Sequence, residues 1–286
     1  MPTDVPNSVT DARWKTRRFG AMRLLVWLLL LAILLRYGFM WADTFAGASL
    51  PRIGNIGFTA IFAAFSILHA ADVLGWRRAL VFLLVCVTVS WCFEAVGVAT
   101  GMVYGSYHYG DVLGAKIGAV PAIIPLAWFM MVYASWIVAH ILLEDGDNPG
   151  SAKGAFARAV IAAAAMTAWD AVMDPGMAKA GTWTWENGGP YFGVPFQNFI
   201  GWVATTLTVY IIVALAFRLV PGREMPAAAR LYGGAPALAY ALVAIDRLLI
   251  ASSPELHVVA AFGICLVALL AILRLALVQR PIALPR

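Results

Sequence analysis

Charged residues are scarce in this chain of 286 residues: Asp, Glu, Lys and Arg make up 12% of it, whereas soluble domains carry roughly 25%. Hydrophobic residues make up 62% of the chain, which excludes a soluble globular protein. A helix that spans a bilayer needs about 20 apolar residues, so a polytopic bundle leaves no room for a second, soluble domain. The net charge is +5, but the cations lie between apolar runs instead of on a soluble face, so we expect no nucleic-acid partner.

Cysteine and histidine are few, and recognised cofactor motifs are missing. The three cysteines, Cys86, Cys92 and Cys265, lie inside apolar stretches at no metal-ligand or disulfide spacing. The four histidines form no HxxH or HxxxH pair, which argues against zinc peptidase chemistry and against the His-clustered di-iron sites of membrane desaturases. There is no Walker or Rossmann motif. We therefore expect neither a metal nor a cofactor.

Long apolar runs dominate the chain and predict an all-α fold, a polytopic membrane helix bundle with about eight transmembrane helices. The predicted spans cover about residues 22–40, 55–74, 79–99, 120–143, 154–174, 198–219, 235–251 and 256–278. If the N-terminus is cytoplasmic, 15 of the 20 Lys and Arg residues fall on cytoplasmic segments, which is the expected bias. We predict that both termini are cytoplasmic, with residues 1–21 as a basic segment and residues 22–286 as a single integral-membrane domain.

Two predicted non-cytoplasmic loops, residues 100–119 and 175–197, are long and rich in Gly, Tyr and Trp. Each leads into a helix that opens with Val-Pro and carries a Trp seven residues after that Pro, at Trp128 and at Trp202. Each loop also follows a helix with an acid near its outer end. These matches indicate a duplicated helix–loop–helix unit, although two shared features over so long a stretch also arise by chance.

Acidic residues inside the predicted spans are the first candidates for chemistry, because acids in a membrane usually face a partner or a cavity. Glu94 lies in the third span, and Asp170 and Asp174 lie in the fifth. The i and i+4 spacing puts Asp170 and Asp174 on one side of a helix, about 6 Å apart along its axis. A buried acid beside a second carboxyl group can keep its proton near neutral pH and donate it. The alternative is structural: such acids also bind backbone donors of adjacent loops.

Aromatic residues in the two loops are candidates for a substrate pocket, since aromatic faces stabilise a carbocation without attacking it. Trp and Tyr are also enriched at membrane interfaces, where they act as anchors. Each of these residues, taken alone, is therefore compatible with a substrate pocket and with an interfacial anchor. Their concentration beside acid-bearing helices favours a site, and His108 is a candidate for substrate binding and proton relay. The candidate aromatic residues are Tyr104, Tyr107, Tyr109, Trp183, Trp185 and Tyr191.

Several strings between about residues 90 and 202 resemble the membrane carotenoid-biosynthesis family, whose characterised members are carotenoid 1,2-hydratases. The matching residues are Phe93-Glu94 with Gly97 and Gly101, Tyr104-Gly105-x-Tyr107-x-Tyr109, Val120-Pro121 with Pro125 and Trp128, Trp169-Asp170-x-x-x-Asp174-Pro175, Trp183-Thr184-Trp185, and Gly193-Val194-Pro195-x-x-Asn198. The resemblance implies hydration of the terminal C1,C2 double bond of an acyclic carotenoid, without a cofactor. It also implies a prokaryotic inner or plasma membrane, a carotenoid substrate from the lipid phase, and membrane lipids and other carotenoid enzymes as partners.

Hydration of an isoprenoid double bond needs a proton on the less substituted carbon and water on the resulting tertiary cation. Asp170 is the expected general acid, because it lies one turn deeper than Asp174 and should be more desolvated. Asp174 or Glu94 would orient or deprotonate the water, with Asn198 as a hydrogen-bond partner.

Two alternatives remain open. A magnesium-dependent membrane prenyltransferase would use Asp170 and Asp174 as metal ligands, but such enzymes also need a second acid-rich motif and basic residues, and only Lys116 and Lys179 are expected near the pocket. A carotenoid-binding or transport protein would use the same aromatic pocket without chemistry. Three further charged residues in or near spans are expected to pair structurally: Asp72, Asp246 and Arg247.

Overall fold

A computed structural model describes residues 8–49, 53–144, 151–220, 230–279, 282 and 284, with side chains from residue 20 onward. The fold is an all-α bundle. Its helices are α1 (Ser8–Ala46), α2 (Asn55–Leu74), α3 (Trp76–Thr100), α4 (Ile124–Leu142), α5 (Ala152–Lys179), α6 (Phe196–Leu219), α7 (Arg230–Gly233), α8 (Ala235–Ile250), α9 (Pro254–Ala260) and α10 (Leu266–Leu277), with a π-helical segment at Ala261–Cys265 joining the last two. Short strands are β1 (Tyr107–Tyr109), β2 (Lys116–Ile117), β3 (Val120–Pro121) and β4 (Trp183–Trp185).

Within the described residues, seven helical stretches are long and apolar enough to cross a membrane. They match seven of the eight predicted spans, so the chain is a multi-pass integral membrane protein. The eighth predicted span, 235–251, corresponds to α8, whose 16 residues extend about 24 Å at 1.5 Å per residue. Helix α1 begins at Ser8, well before the predicted start at residue 22. Residues 1–7 of the predicted basic segment lie outside the described residues.

Helix α5 extends to Lys179, beyond the predicted end at residue 174, although Pro175 lies inside it. Proline has no N–H, so it leaves the carbonyl of Ala171, four residues earlier, without its helical donor. The hydroxyl of Tyr191 donates to this carbonyl at 2.9 Å. The freed carbonyl is therefore satisfied from the following loop, and the helix continues past the proline.

Helix α4 lies at the centre of the bundle and packs against α2, α3, α5, α8 and α10. Helices α3 and α5, which carry the predicted acids, each pack against both α4 and α6. Leucines of α1 such as Leu24, Leu28 and Leu31 remain exposed, as expected for a surface that faces lipid. The acids of α3 and α5 therefore face each other across a space bounded by α4 and α6.

Strands β1 and β4 form an antiparallel ribbon that joins the two loops rich in Gly, Tyr and Trp. Tyr107 pairs with Trp185 and Tyr109 with Trp183. Side chains alternate across a strand, so these four aromatic residues are buried while His108, between the tyrosines, is exposed. The ribbon covers one end of the bundle, which we call the ribbon end.

Candidate active site

A cavity of about 150 Å³ lies at the ribbon end of the bundle. Helices α1 to α6, α8 and the ribbon all contribute to its wall. Ten of its 25 lining residues are aromatic: Tyr37, Phe58, Tyr104, Tyr107, Tyr109, Trp128, Trp169, Trp183, Trp185 and Trp202. A cavity of this volume holds a molecule of about the size of benzene, which corresponds to one isoprenoid unit.

A hydrogen-bonded carboxyl pair borders the cavity. Asp170 and Asp174 are buried one turn apart on α5. Asn198 of α6 donates from Nδ2 to Asp170 Oδ2 at 2.9 Å and to Asp174 Oδ2 at 2.6 Å. Asp170 Oδ1 is buried without a hydrogen-bond partner in the part of the chain that the structure describes. Two buried carboxylates that share one amide repel each other, which favours a state in which one of them holds a proton. Asp174 and Asn198 line the cavity, whereas Asp170 is not part of its wall.

Glu94 of α3 presents a second carboxyl group to the same cavity. Its Oε2 accepts hydrogen bonds from the hydroxyls of Tyr107 and Tyr109, the latter at 2.7 Å. Its Oε1 accepts from Trp128 Nε1 at 2.9 Å, and the Trp128 ring stacks on Trp202 with centroids 4.1 Å apart. These three donors from the ribbon and from α4 fix the position of the Glu94 carboxyl group at the cavity wall.

The tyrosines that bind Glu94 remain protonated at neutral pH. Burial raises the pKa of Tyr107 and of Tyr109, and the neighbouring Glu94 carboxylate raises both further. Burial also raises the pKa of Tyr104, again with a contribution from Glu94. All three phenols therefore act as donors and not as anions.

Two glycines allow Tyr104 to pack into the wall between α3 and α6. A Cβ atom at Gly97 would lie 2.8 Å from Tyr104 Cδ2, and one at Gly201 would lie 2.6 Å from Tyr104 Cδ1. The Tyr104 hydroxyl bonds to Thr205 Oγ1 at 2.7 Å. Since Thr205 gives its own hydrogen to the Gly201 carbonyl, Tyr104 is the donor. The lack of a side chain at Gly97 and at Gly201 thus makes room for this ring.

Most of the predicted site residues meet at the cavity, but three do not line it. Glu94, Asp174, Asn198, Tyr104, Tyr107, Tyr109, Trp183 and Trp185 lie on its wall. Asp170 is hydrogen-bonded to the wall residue Asn198 but does not line the cavity itself. His108 is exposed on the outer side of the ribbon and bonds to Glu186 at 2.6 Å, because the alternation of β1 turns it away from its buried neighbours. Tyr191 binds the Ala171 carbonyl, and burial raises the pKa of its hydroxyl to about 12.

The cavity also has polar wall residues that sequence reasoning missed: Arg36 of α1, Asn55 of α2 and Arg247 of α8. The predicted basic neighbours, Lys116 and Lys179, do not line it. Arg247 was expected only to pair structurally, and it does bond to Asp246. The position of Arg36 inside an apolar run could have marked it as a candidate site residue. It was missed because its helix lies outside the segment that carries the family resemblance.

The remaining acids named in the sequence take structural partners. Asp72 accepts a hydrogen bond from Arg23 Nε at 2.9 Å. Asp246 accepts from Trp41 Nε1 at 3.1 Å as well as from Arg247. In the part of the chain that the structure describes, no group of three or more His, Cys, Asp and Glu side chains is arranged to hold a metal ion.

Comparison with known proteins agrees with the family resemblance found in the sequence. The profile of a family described as "Carotenoid biosynthesis protein" matches residues 54–277. Bisanhydrobacterioruberin hydratase of Haloarcula japonica is 32% identical over 142 residues, which cover 49% of this chain and 46% of that protein. The chain thus matches about half the length of this curated relative. No solved structure matches the chain.

Proposed function

Since the chain belongs to the carotenoid biosynthesis protein family, we propose that it is a carotenoid 1,2-hydratase of a prokaryotic inner or plasma membrane. It adds water to the terminal C1,C2 double bond of an acyclic carotenoid end group that arrives from the lipid phase. The product is a tertiary alcohol. The name of the relative from Haloarcula japonica, a hydratase, supports this reaction class.

The observation that carries the proposal is the arrangement of the two buried acids. Asp174, which shares the Asn198 amide with Asp170, and the triply hydrogen-bonded Glu94 line one aromatic cavity. A proton held by a carboxyl pair and a second carboxyl group beside aromatic faces are what protonation of an alkene needs. The volume of about 150 Å³ suits the end group alone, which directs the reaction to the terminal double bond.

In the proposed reaction the carboxyl pair gives up one proton and later takes one back, so no other proton-transfer group is needed. Asp174 gives its proton to C2, the electron pair of the double bond forms the new C–H bond, and C1 becomes a tertiary cation. Glu94 and the aromatic wall stabilise this cation. The oxygen of water bonds to C1, and the Asp174 carboxylate takes the surplus proton, which restores the starting acid. Asp174 replaces Asp170 as the proposed donor because Asp174 is the member of the pair on the wall.

The experiment is expression in a host that accumulates lycopene or another carotene with an open end, followed by mass spectrometry of the pigments. A hydratase gives a product heavier by one water molecule. An Asp174→Asn chain, expressed to the same level in the same host, should leave the pigment unchanged. Unchanged pigment with the wild-type chain supports the carrier alternative instead.

The prenyltransferase alternative has one observation in its favour, since Arg36 and Arg247 line the cavity and guanidinium groups bind diphosphate. Against it, the Asn198 amide already occupies one oxygen of each carboxyl group of the pair, and magnesium needs several oxygen ligands in octahedral geometry. A chelator separates the two: hydration persists in excess EDTA, whereas prenyl transfer is abolished and is restored by magnesium.

A further inference from the structure

The cavity has a second polar region, separate from its acids. Arg36 of α1, Asn55 of α2 and Arg247 of α8 line this region. Asn55 is exposed and both arginines are partly exposed, whereas Glu94 and Asp174 are buried. The three residues therefore mark the mouth, where the cavity meets its surroundings.

Arg36 has a donor at the mouth that lacks an acceptor. Its Nε is buried and has no hydrogen-bond partner within the described residues. The guanidinium lies 4.3 Å from the Phe58 ring centroid and 5.0 Å from that of Tyr37, and both rings line the cavity. Buried donors are normally paired with protein groups or ordered water, so this position calls for an oxygen atom.

Arg247 is held at the rim by its own partners. It donates to Asp246 Oδ2 from Nε at 3.1 Å and also from Nη2. Asp246 is fixed in turn by Trp41 Nε1 at 3.1 Å. One of the two guanidinium charges is thereby balanced, which leaves a polar mouth of low net charge.

Polar side chains continue from the mouth into the cavity along α2. Asn55 and Thr59 are one turn apart on the same face of this helix, and both line the cavity. Thr59 is only 8% exposed, so its hydroxyl lies deeper than the Asn55 amide. These two side chains offer successive hydrogen-bonding groups to a small polar molecule.

The proposed reaction requires water inside an otherwise apolar chamber. Apolar cavities of this size stay dry, and a bound water needs two to four polar partners. A hydrocarbon moving past the mouth would have to strip water from two guanidinium groups, which is costly. We propose that Arg36, Asn55, Thr59 and Arg247 form a water port, which supplies the water that adds to the substrate. With cytoplasmic termini, the port opens on the non-cytoplasmic face. This inference rests on the proposed function.

The test blocks the port in the folded, membrane-embedded chain. Asn55→Cys is treated with a bulky, membrane-impermeant maleimide in whole cells and, separately, in inverted membrane vesicles. Asn187→Cys is the matched control, since Asn187 is exposed on the loop after β4 and does not line the cavity. The unsubstituted chain, treated identically, controls for Cys86, Cys92 and Cys265. Labelling is measured by intact mass, hydration by mass spectrometry of the carotenoid, and substrate binding by the carotenoid that copurifies.

We expect Asn55→Cys to be labelled from outside the cells, and full labelling to lower its hydration rate at least about ten-fold with bound carotenoid unchanged. Labelled Asn187→Cys should stay within about two-fold of its unlabelled rate. An unchanged hydration rate after full labelling of Asn55→Cys would contradict the water port. A joint loss of hydration and of bound carotenoid would also contradict it, because the mouth would then be the entrance for the substrate. Labelling of Asn55→Cys in inverted vesicles only would contradict the predicted side of the membrane. If the unlabelled, unsubstituted chain yields no hydrated product, the proposed function has failed, and the port fails with it.

Discussion

At the scale of single residues, the two carboxyl groups on the cavity wall differ in their partners. Glu94 accepts from three side-chain donors, and donors of this kind make a carboxylate a weak base. Asp174 accepts from one amide, that of Asn198, which it shares with Asp170. In the proposed reaction the proton of the Asp170–Asp174 pair is therefore the one transferred, whereas Glu94 is held in place by its three donors.

This difference predicts unequal effects of two matched substitutions on α5. Asp174→Asn should lower the hydration rate by about 10² to 10⁴, the usual contribution of a general acid. Asp170→Asn should lower it less, because Asp170 does not line the cavity. Turnover is measured in membranes with equal amounts of each chain. A larger loss of turnover in Asp170→Asn than in Asp174→Asn would instead indicate that Asp170 is the proton donor.

The tyrosines around Glu94 predict how stability depends on pH. Burial and the Glu94 charge raise the pKa of Tyr107 and of Tyr109 in the folded chain, whereas an unfolded tyrosine ionises near pH 10. The folded state holds these protons more tightly, so the stabilisation is complete below about pH 10 and is lost as the pH rises further. Thermal unfolding in detergent should show a shallower decline above about pH 10 for Tyr109→Phe than for the wild type. Equal slopes would contradict the assignment.

At the scale of elements, the continuation of α5 past Pro175 depends on a side chain from the next loop. Tyr191→Phe removes the donor to the Ala171 carbonyl, which should lower the free energy of unfolding by about 1–3 kcal/mol. The KM for the carotenoid should stay unchanged, because Tyr191 does not line the cavity. Denaturation and steady-state kinetics on the same preparation separate the two effects. A raised KM at unchanged stability would instead make Tyr191 a substrate contact.

The packing of α3 against α6 predicts the effect of one added methyl group. Gly201→Ala would push its Cβ into the Tyr104 ring, and overpacking of this kind costs about 1–3 kcal/mol. Activity should fall as well, since Tyr104 lines the cavity. Gly38→Ala in α1 is the control: an added Cβ meets nothing within 4 Å there, and alanine favours a helix. Equal stability of the two variants would contradict the proposed packing.

Hydrophobicity and spacing predicted the helices and the acid pair, because both are local properties of the chain. The i and i+4 spacing was enough to bring Asp170 and Asp174 together, and Asn198 bridges them as a hydrogen-bond partner. The ribbon was not predicted, since strands of three residues carry little pattern and these two pair across 74 to 78 positions, from Tyr109 with Trp183 to Tyr107 with Trp185. The exposure of His108 follows from that pairing. Arg36 lies at the cavity because α1 packs against the other helices, and no local sequence pattern predicts that packing.

At the scale of the whole molecule, the cavity lies close to one end of the helix bundle. Glu94 is six residues from the end of α3 and Asp174 five from the end of α5, which places both about 8–9 Å below those ends. A cavity of about 150 Å³ takes one end group, so the rest of a long carotenoid must remain outside it. The proposed reaction therefore treats one end of the substrate at a time.

The most direct measurement uses isotopes. Membranes with the wild-type chain and an acyclic carotene are incubated in D₂O enriched in ¹⁸O, and the product is analysed by mass spectrometry and NMR. Proton donation from Asp174 followed by water capture predicts one deuterium on C2 and one ¹⁸O on C1, with neither label in the Asp174→Asn sample. A product whose oxygen comes from dissolved O₂, or whose C2 carries no deuterium, would contradict acid-catalysed hydration.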